Sequence, residues 1–501
     1  MVILAAGLLA ALASDGAPKL VHGGFEHGLR GWTVAGEVSL DTSHLQEGAH
    51  AAVIGPGKGS LSQRIATGSG DHLTVSALLD VPGTNGWVFR VRFLDSEGRE
   101  LMQVDSLHEI KPTKKDPRKF SIFMKTHPLT RWTELVLAKD STQGKLRVED
   151  IELNLEDENS IRPKPAFDLD QAMQPFWSGN SVRNEAVLML SQSGRPASGQ
   201  LMFQPSRIIS VQDYGLTTHY QEGTDYTVEG RTLVCTPSSH LTRVDIDSLT
   251  QGELNWNTTG GKQVMVTYEH ADTWNHPRLE FIGWVLPRTL HKLRARAPLK
   301  VVAFGDSITH GVGSSSLAHI PPFLPPWPEL FVHRLQSLYG YEDIRLYNSA
   351  QSGATSEWGK DFARRMVATL DPDLVLVAFG QNDFWNTAAD VFASNVLSMV
   401  QTVRRECPHA EFLLVSTMRF DPAYTTNAAY WNVVGEYANK LKAMTGPGIG
   451  FVDMTAISEW VYAAKKPKDC INDPLHPNDY LARWYAQSLA ATLDPGSSRA
   501  Q

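Results

Sequence analysis

Residues Val301–Gly311 read VVAFGDSITHG: a short apolar run, a glycine, then an acid and a serine. A continuous apolar run bounded by turn residues suits a strand buried on both faces, as in a parallel sheet. Working outward, the runs KVVAF, IRLYN, DLVLVAF, EFLLVS and GFVDM repeat this pattern between Lys300 and Met454. Amphipathic segments separate them. Within Val391–Val403, Phe392, Val396, Met399 and Val403 share one helical face, as do Leu481, Trp484, Tyr485 and Leu489 further on. Strands alternating with helices predict an α/β domain, a parallel sheet covered by helices on both faces. In such sheets ligands bind beyond the carboxyl ends of the strands.

Four segments at those ends carry unusual residues: GDSIT after the first strand, NSAQSGA (Asn348–Ala354) after the second, GQND (Gly380–Asp383) after the third, and DPLHPND (Asp473–Asp479) before the last helix. A serine hydroxyl is a weak nucleophile without a base in hydrogen-bond reach, and that base needs a partner to fix its tautomer. The D-x-x-H spacing suits the pairing, because Asp473 and His476 each precede a proline. Residues before proline are held extended, so a compact loop can aim one at the other. Asn478 or Asp479 then caps the following helix.

In this order and spacing the four segments resemble the conserved blocks of the SGNH hydrolases, the GDSL esterase and lipase superfamily, over Pro298–Pro495. The resemblance implies a three-layer α/β hydrolase domain with Ser307 as nucleophile, His476 as general base and Asp473 orienting the imidazole. It also implies an oxyanion hole from the backbone N–H groups of Ser307 and Gly353 and the amide of Asn382. Glycine at 353 lets the backbone approach a substrate closely, and an asparagine amide is costly to bury without a role. Asp306 is expected to support its loop, and the G-x-S-x-G elbow of α/β-hydrolases is absent around Ser307. His310, His333 and His409 lack metal-ligand spacing, and a serine mechanism requires no metal or cofactor. Trp327, in the stretch after PPFLPP, with Trp358, Phe384 and Trp385, are the candidate substrate-binding aromatics, able to stack on a sugar face or line an acyl pocket.

The chain upstream is β-rich. Residues 19–159 alternate in short runs such as FRVRF (Phe89–Phe93), with turns such as DSEG, and predict a β-sandwich. LVHGGFEHGLRGW (Leu20–Trp32), EGAHAAVI (Glu47–Ile54) and RVEDIEL (Arg147–Leu153) resemble the jelly-roll domains that serve as carbohydrate-binding modules. Trp32, Trp87 and Trp132 read as core rather than sugar platforms. Glu26 and Asp150 are the candidates for a structural calcium of such modules, but two carboxylates fall short of the six to eight oxygens calcium takes. After a Pro- and acid-rich linker (Glu156–Asp168), residues 165–293 predict a smaller intermediate β domain without persistent helical periodicity. Residues 1–17 read as a signal peptide whose apolar core ends in Ala11-Leu12-Ala13, a small-residue cleavage site, so a secreted or periplasmic protein is expected. No other apolar run approaches spanning length.

A formal net charge of -8 over 501 residues, with scattered Lys and Arg, argues against a nucleic-acid partner. Three cysteines, Cys235, Cys407 and Cys470, are too few for a disulfide framework and leave at most a Cys407–Cys470 bridge open. The domain order resembles bacterial esterases that deacetylate polysaccharides, which implies a serine esterase acting on acetylated polysaccharide or oligosaccharide. Two alternatives stand beside it. A GDSL-type lipase, thioesterase or lysophospholipase would use the same triad, and a non-catalytic glycan-binding protein would not need it.

Overall fold

A computed structural model describes residues 20–42, 50–67, 72–81, 86–105, 111–112, 118–156, 163–248, 260–274, 276, 280–424 and 427–497. The signal-peptide reading of residues 1–17 lies outside them. The chain forms two compact units, residues 1–161 and 162–501.

The first unit is an antiparallel array of nine strands. Its longest strand, Ala51–Ala66, serves two neighbours: Ala52–Ile54 pairs with Leu146–Val148, whereas Gly59–Ala66 pairs with Trp132–Lys139. The change of partner falls at Gly55-Pro56-Gly57, where proline removes a ladder donor. Along Trp132–Lys139 burial alternates residue by residue, the period-2 signature of a strand with one face inward. Leu61, Val75, Phe89, Val91, Leu135 and Val148 fill the core. Trp32 packs inside, its ring 5.7 Å from that of Phe25, and half-buried Trp87 lies edge-on to Phe120 at 5.0 Å.

In the second unit, five strands form a parallel sheet: β1 (Leu299–Gly305), β2 (Ile344–Asn348), β3 (Leu374–Ala378), β4 (Glu411–Val415) and β5 (Ile449–Val452). Their order is β2-β1-β3-β4-β5. The chain therefore leaves β1 to one side for β2 and returns to the other for β3, a topological switch point beside the end of β1. The helices longer than two turns are α1 (Pro287–Ala295), α2 (Trp327–Tyr339), α3 (Ser356–Met366), α4 (Ala389–Glu406), α5 (Ala428–Ala443), α6 (Met454–Ala464) and α7 (Asp479–Leu493). In α4 the expected stripe of Phe392, Val396, Met399 and Val403 is buried. Helix α7 is buried on every side.

Helix α1 falls where the sequence pattern shows only β character. Proline at its first turn and a carboxylate from elsewhere define its start: Glu411 on β4 accepts hydrogen bonds from the N–H groups of Arg288 at 3.0 Å and Thr289 at 2.8 Å. A negative charge at these unsatisfied donors stabilises the helix N-terminus, and no local sequence pattern reveals a cap supplied from more than a hundred residues away.

Residues 181–270 add a four-stranded and a five-stranded sheet within the same unit. Their apolar residues, including Val182, Met189 and Val266, share one continuous core with Leu330 of α2 and Trp484 of α7. Arg483 of α7 donates to the carbonyls of Arg183, at 2.8 Å, and Asn184. Lys465 and Glu185 form a fully buried ion pair, and Glu185 also accepts from Tyr268 Oη at 2.6 Å and Met202 N at 2.7 Å. Cys235, Cys407 and Cys470 are buried free thiols, so the Cys407–Cys470 bridge left open by the sequence is not formed.

Candidate active site

The chain leaves β1 at Gly305, where an added Cβ would lie 2.2 Å from the Ala378 carbonyl of β3; only glycine fits this approach. Asp306 then caps one helical turn, Ser307–His310, through a hydrogen bond from Ile308 N to Oδ1 at 3.0 Å. Its Oδ2 accepts from Gln381 N at 3.2 Å. Burial pushes the Asp306 carboxyl up to about 7 against these two N–H donors. As first residue of the turn, Ser307 holds its backbone N–H ahead of the helical ladder, where it can serve a ligand.

The small hairpin of Ile471–Asp473 and His476–Pro477 carries the other two groups. His476 Nε2 lies 2.8 Å from Ser307 Oγ, and Nδ1 lies 2.9 and 2.8 Å from the two carboxylate oxygens of Asp473. A carboxylate only accepts, so Nδ1 carries the proton and Nε2 accepts from the serine hydroxyl. Burial pushes the Asp473 carboxyl up, but the His476 hydrogen bond and charge and the N–H groups of Leu475 and His476 outweigh it, leaving it below the usual carboxylate range. Asn478 caps α7 with hydrogen bonds from Tyr480 N at 3.0 Å and Leu481 N at 3.2 Å. Gly313 lets the loop after Ser307 approach this hairpin: its φ is +99° and an added Cβ would sit 2.1 Å from the Pro477 carbonyl.

The loops after β2 and β3 meet beside the serine turn. Asn348 Nδ2 donates to the Thr309 carbonyl at 3.0 Å, and Gln351 N donates to the Gly305 carbonyl at 3.0 Å. Gly353 is exposed in a left-handed conformation, φ +78°. Asn382 Nδ2 donates to the carbonyl of Ala354, next to Gly353, at 2.9 Å, which uses one of its two amide hydrogens. Buried Asp383 accepts from Ser356 N and Oγ and so fixes the loop that bears Asn382.

The aromatic candidates divide. Trp327 is 1% exposed and stacks on Tyr485 at 5.6 Å; it is core between α2 and α7, and the expectation of a substrate contact is corrected. Phe384, 2% exposed, is likewise core, against Phe420 at 4.9 Å, and the same correction applies. Proximity in sequence to a functional loop says nothing of which way a ring faces. Trp358 is half-buried and stacks on Phe362 at 4.8 Å. Trp385 is exposed, and Tyr424, also exposed, lies edge-on to it at 5.7 Å. Burial and the Asp473 charge raise the Tyr424 hydroxyl, and Asp421 N donates to the Pro474 carbonyl at 3.0 Å, so this rim adjoins the hairpin.

Sequence reasoning missed Tyr424, Gln381 and the pair His310 Nδ1 and Ser352 Oγ, 2.9 Å apart. Among the described residues one trio, His22, Glu26 and His27 in the first unit, brings potential ligand atoms within 4.8 Å of one another. No helix among them is long and apolar enough to cross a membrane.

The strand order, the serine turn at the switch point and the hairpin that brings Asp473 and His476 to Ser307 match an SGNH-type hydrolase domain. Residues 303–484 match the model of the GDSL-like Lipase/Acylhydrolase family, and the chain thus carries a GDSL-type lipase-acylhydrolase domain. An arylesterase from Vibrio mimicus is 23% identical over 202 residues, which is 40% of this chain and 90% of that protein. A catalytic mutant of an acetylxylan esterase from Geobacillus stearothermophilus aligns at 19% identity over 40% of this chain and 97% of its own, with a TM-score of 0.34. The enzymatically active domain of bacteriophage CBA120 tailspike protein 4 aligns at 14% identity over 28% of this chain, which spans 21% of that domain, with a TM-score of 0.24.

Proposed function

We propose that the protein is a serine esterase that removes acetyl groups from O-acetylated polysaccharide or oligosaccharide. The observation that carries this reading is the unbroken series from Ser307 Oγ through the His476 ring to Asp473, with Nε2 2.8 Å from Oγ and Nδ1 2.8 and 2.9 Å from the carboxylate oxygens. Ser307 Oγ attacks the acetyl carbonyl carbon while its proton passes to His476 Nε2. The carbonyl oxygen, now negative, takes hydrogen bonds from Ser307 N, Gly353 N and the second amide hydrogen of Asn382. One such donor contributes about 2.7–4 kcal/mol, because the charge it meets exists fully only after attack. The carbon–oxygen bond to the sugar then breaks, and His476 returns the proton to the departing sugar oxygen. Water, deprotonated by His476, attacks the acetyl-serine; acetate leaves and Ser307 regains its proton.

The carbohydrate part of the reading rests on the exposed rings of Trp385 and Tyr424, faces suited to a sugar ring, and on the jelly-roll pattern of residues 19–159, an accessory glycan-binding domain in this reading. Export to the periplasm or medium, where such polymers occur, follows from the apolar leader at residues 1–17.

Acetate release from acetylated xylan, mannan or xyloglucan is the test. Wild type is expected to release it and Ser307→Ala is not; equal release by both rules out the serine mechanism. A chain-length series of p-nitrophenyl esters tests the acyl group, and a preference for long chains over acetyl overturns the deacetylase assignment in favour of a lipid substrate.

A further inference from the structure

Between Gly380 and Asn382 stands Gln381, a polar side chain 1% exposed. Burying an amide costs free energy unless its hydrogen bonds are made, and this one makes them to two other loops. Nε2 donates to the carbonyl of Leu475 at 3.2 Å, and Oε1 accepts from Thr417 Oγ1, in the loop after β4, at 2.7 Å. A carbonyl only accepts, so the Leu475 bond fixes which way the amide faces. Thr417 is itself held, its carbonyl accepting from Thr455 Oγ1 at 2.6 Å. Through its backbone, Gln381 N donates to Asp306 Oδ2, the cap of the serine turn, at 3.2 Å.

Leu475 is the residue between Asp473-Pro474 and His476. One residue therefore reaches both the acid that caps the serine turn and the inside of the base loop, and its chain neighbour is the oxyanion amide. We propose that Gln381 is a positioning residue that sets the reach of His476 Nε2 to Ser307 Oγ by holding the Leu475 carbonyl. This rests on the reading of Ser307, His476 and Asp473 as the reacting groups. Without the tether, the Leu475 carbonyl loses its side-chain partner, and the hairpin keeps the Asp473 turn, the Asp421 N bond to the Pro474 carbonyl, and the Asn472 and Gln263 bonds at its first strand. A displacement of about 1 Å at a reacting group costs on the order of 10²-fold in rate.

The test is steady-state hydrolysis of p-nitrophenyl acetate by Gln381→Leu and Gln381→Glu, each also in a His476→Ala background. Leucine removes both side-chain bonds, whereas glutamate keeps the acceptor for Thr417 and turns an oxygen toward Leu475. Both are expected to lower kcat about 10- to 100-fold with KM changed less than about twofold. In the His476→Ala background either substitution is expected to cost less than about twofold, because the group being positioned is gone. Should Gln381→Leu fail to fold, the isosteric Gln381→Glu carries the same expectations. Wild-type kcat in Gln381→Glu, or an equal loss with and without His476, overturns the proposal. Failure of the underlying reading looks different: His476→Ala alone would then keep the wild-type rate.

Discussion

Replacing Asp473 by asparagine isolates what the charge at that position does for catalysis. The carboxylate oxygens are not equivalent: Oδ1 accepts from Leu475 N at 2.9 Å and His476 N at 3.1 Å and lies 2.9 Å from Nδ1, whereas Oδ2 has the imidazole as its partner, at 2.8 Å. In Asp473→Asn the two backbone donors keep the amide oxygen at the Oδ1 position, so the amide nitrogen must stand 2.8 Å from Nδ1. With a donor at this shorter of the two contacts, Nδ1 is expected to give up its proton and Nε2 to become the protonated nitrogen. It then donates to Ser307 Oγ and no longer accepts from it. The variant also lacks the negative charge that stabilises the imidazolium formed during attack; at this separation, with an effective dielectric of about 20, the attraction is about 6 kcal/mol. Both arguments lead to a loss of roughly 10⁴-fold in kcat, the size seen where this tautomer is lost in other serine hydrolases. KM is expected to stay within about threefold, because the carboxylate does not touch substrate. Burst and steady-state rates on p-nitrophenyl acetate measure this, with circular dichroism to check folding. A kcat for Asp473→Asn within about tenfold of wild type refutes the reasoning.

Three further outcomes follow from the same geometry. Asn382→Ala is expected to lower kcat by about 10²–10³ with little change in KM, and an unchanged kcat removes Asn382 from the oxyanion hole. With its pKa raised from 3.8 to about 7, Asp306 binds a proton in the native state that the unfolded chain has released, so its contribution to stability falls as pH rises through that window. Urea unfolding at pH 5 and pH 8 should show Asp306→Asn losing about 2–3 kcal/mol less across the interval than wild type, and parallel losses contradict the shift. Lys465→Met leaves the Glu185 carboxylate buried without its cation, a destabilisation of about 3–5 kcal/mol by denaturant unfolding; a cost under about 1 kcal/mol means that the pair does not act as a unit.

The catalytic half was legible because its signals are local. Strand runs such as DLVLVAF and the stripe on α4 follow from burial period alone, and both are found where the pattern put them. The pre-proline pair Asp473 and His476 announced a loop that holds its residues extended, and the hairpin does so. What escaped depends on partners far along the chain. The Glu411 carboxylate starts α1 from a strand 122 positions beyond Thr289, so the segment itself looked featureless. Gln381 sits inside a block that was noticed, yet its partner lies 94 residues away and a glutamine beside an asparagine gives no hint of burial. The aromatics failed differently: Trp327 and Phe384 stand next to functional loops, but a large apolar ring buries itself wherever a core face is offered.

Helix α7 bears on any attempt to use the hydrolase region as a portable module. Trp484 and Gln487 meet Phe176, and Arg483 meets Arg183 and Asn184, all upstream of Pro298. A polypeptide trimmed to begin at Pro298 would turn that tryptophan and a guanidinium toward water on the very helix that follows His476. Domain shuffling with this protein should therefore transplant residues from about 163 onward as one cassette, because a cut at the visible change of sequence pattern severs the support of the helix that follows His476.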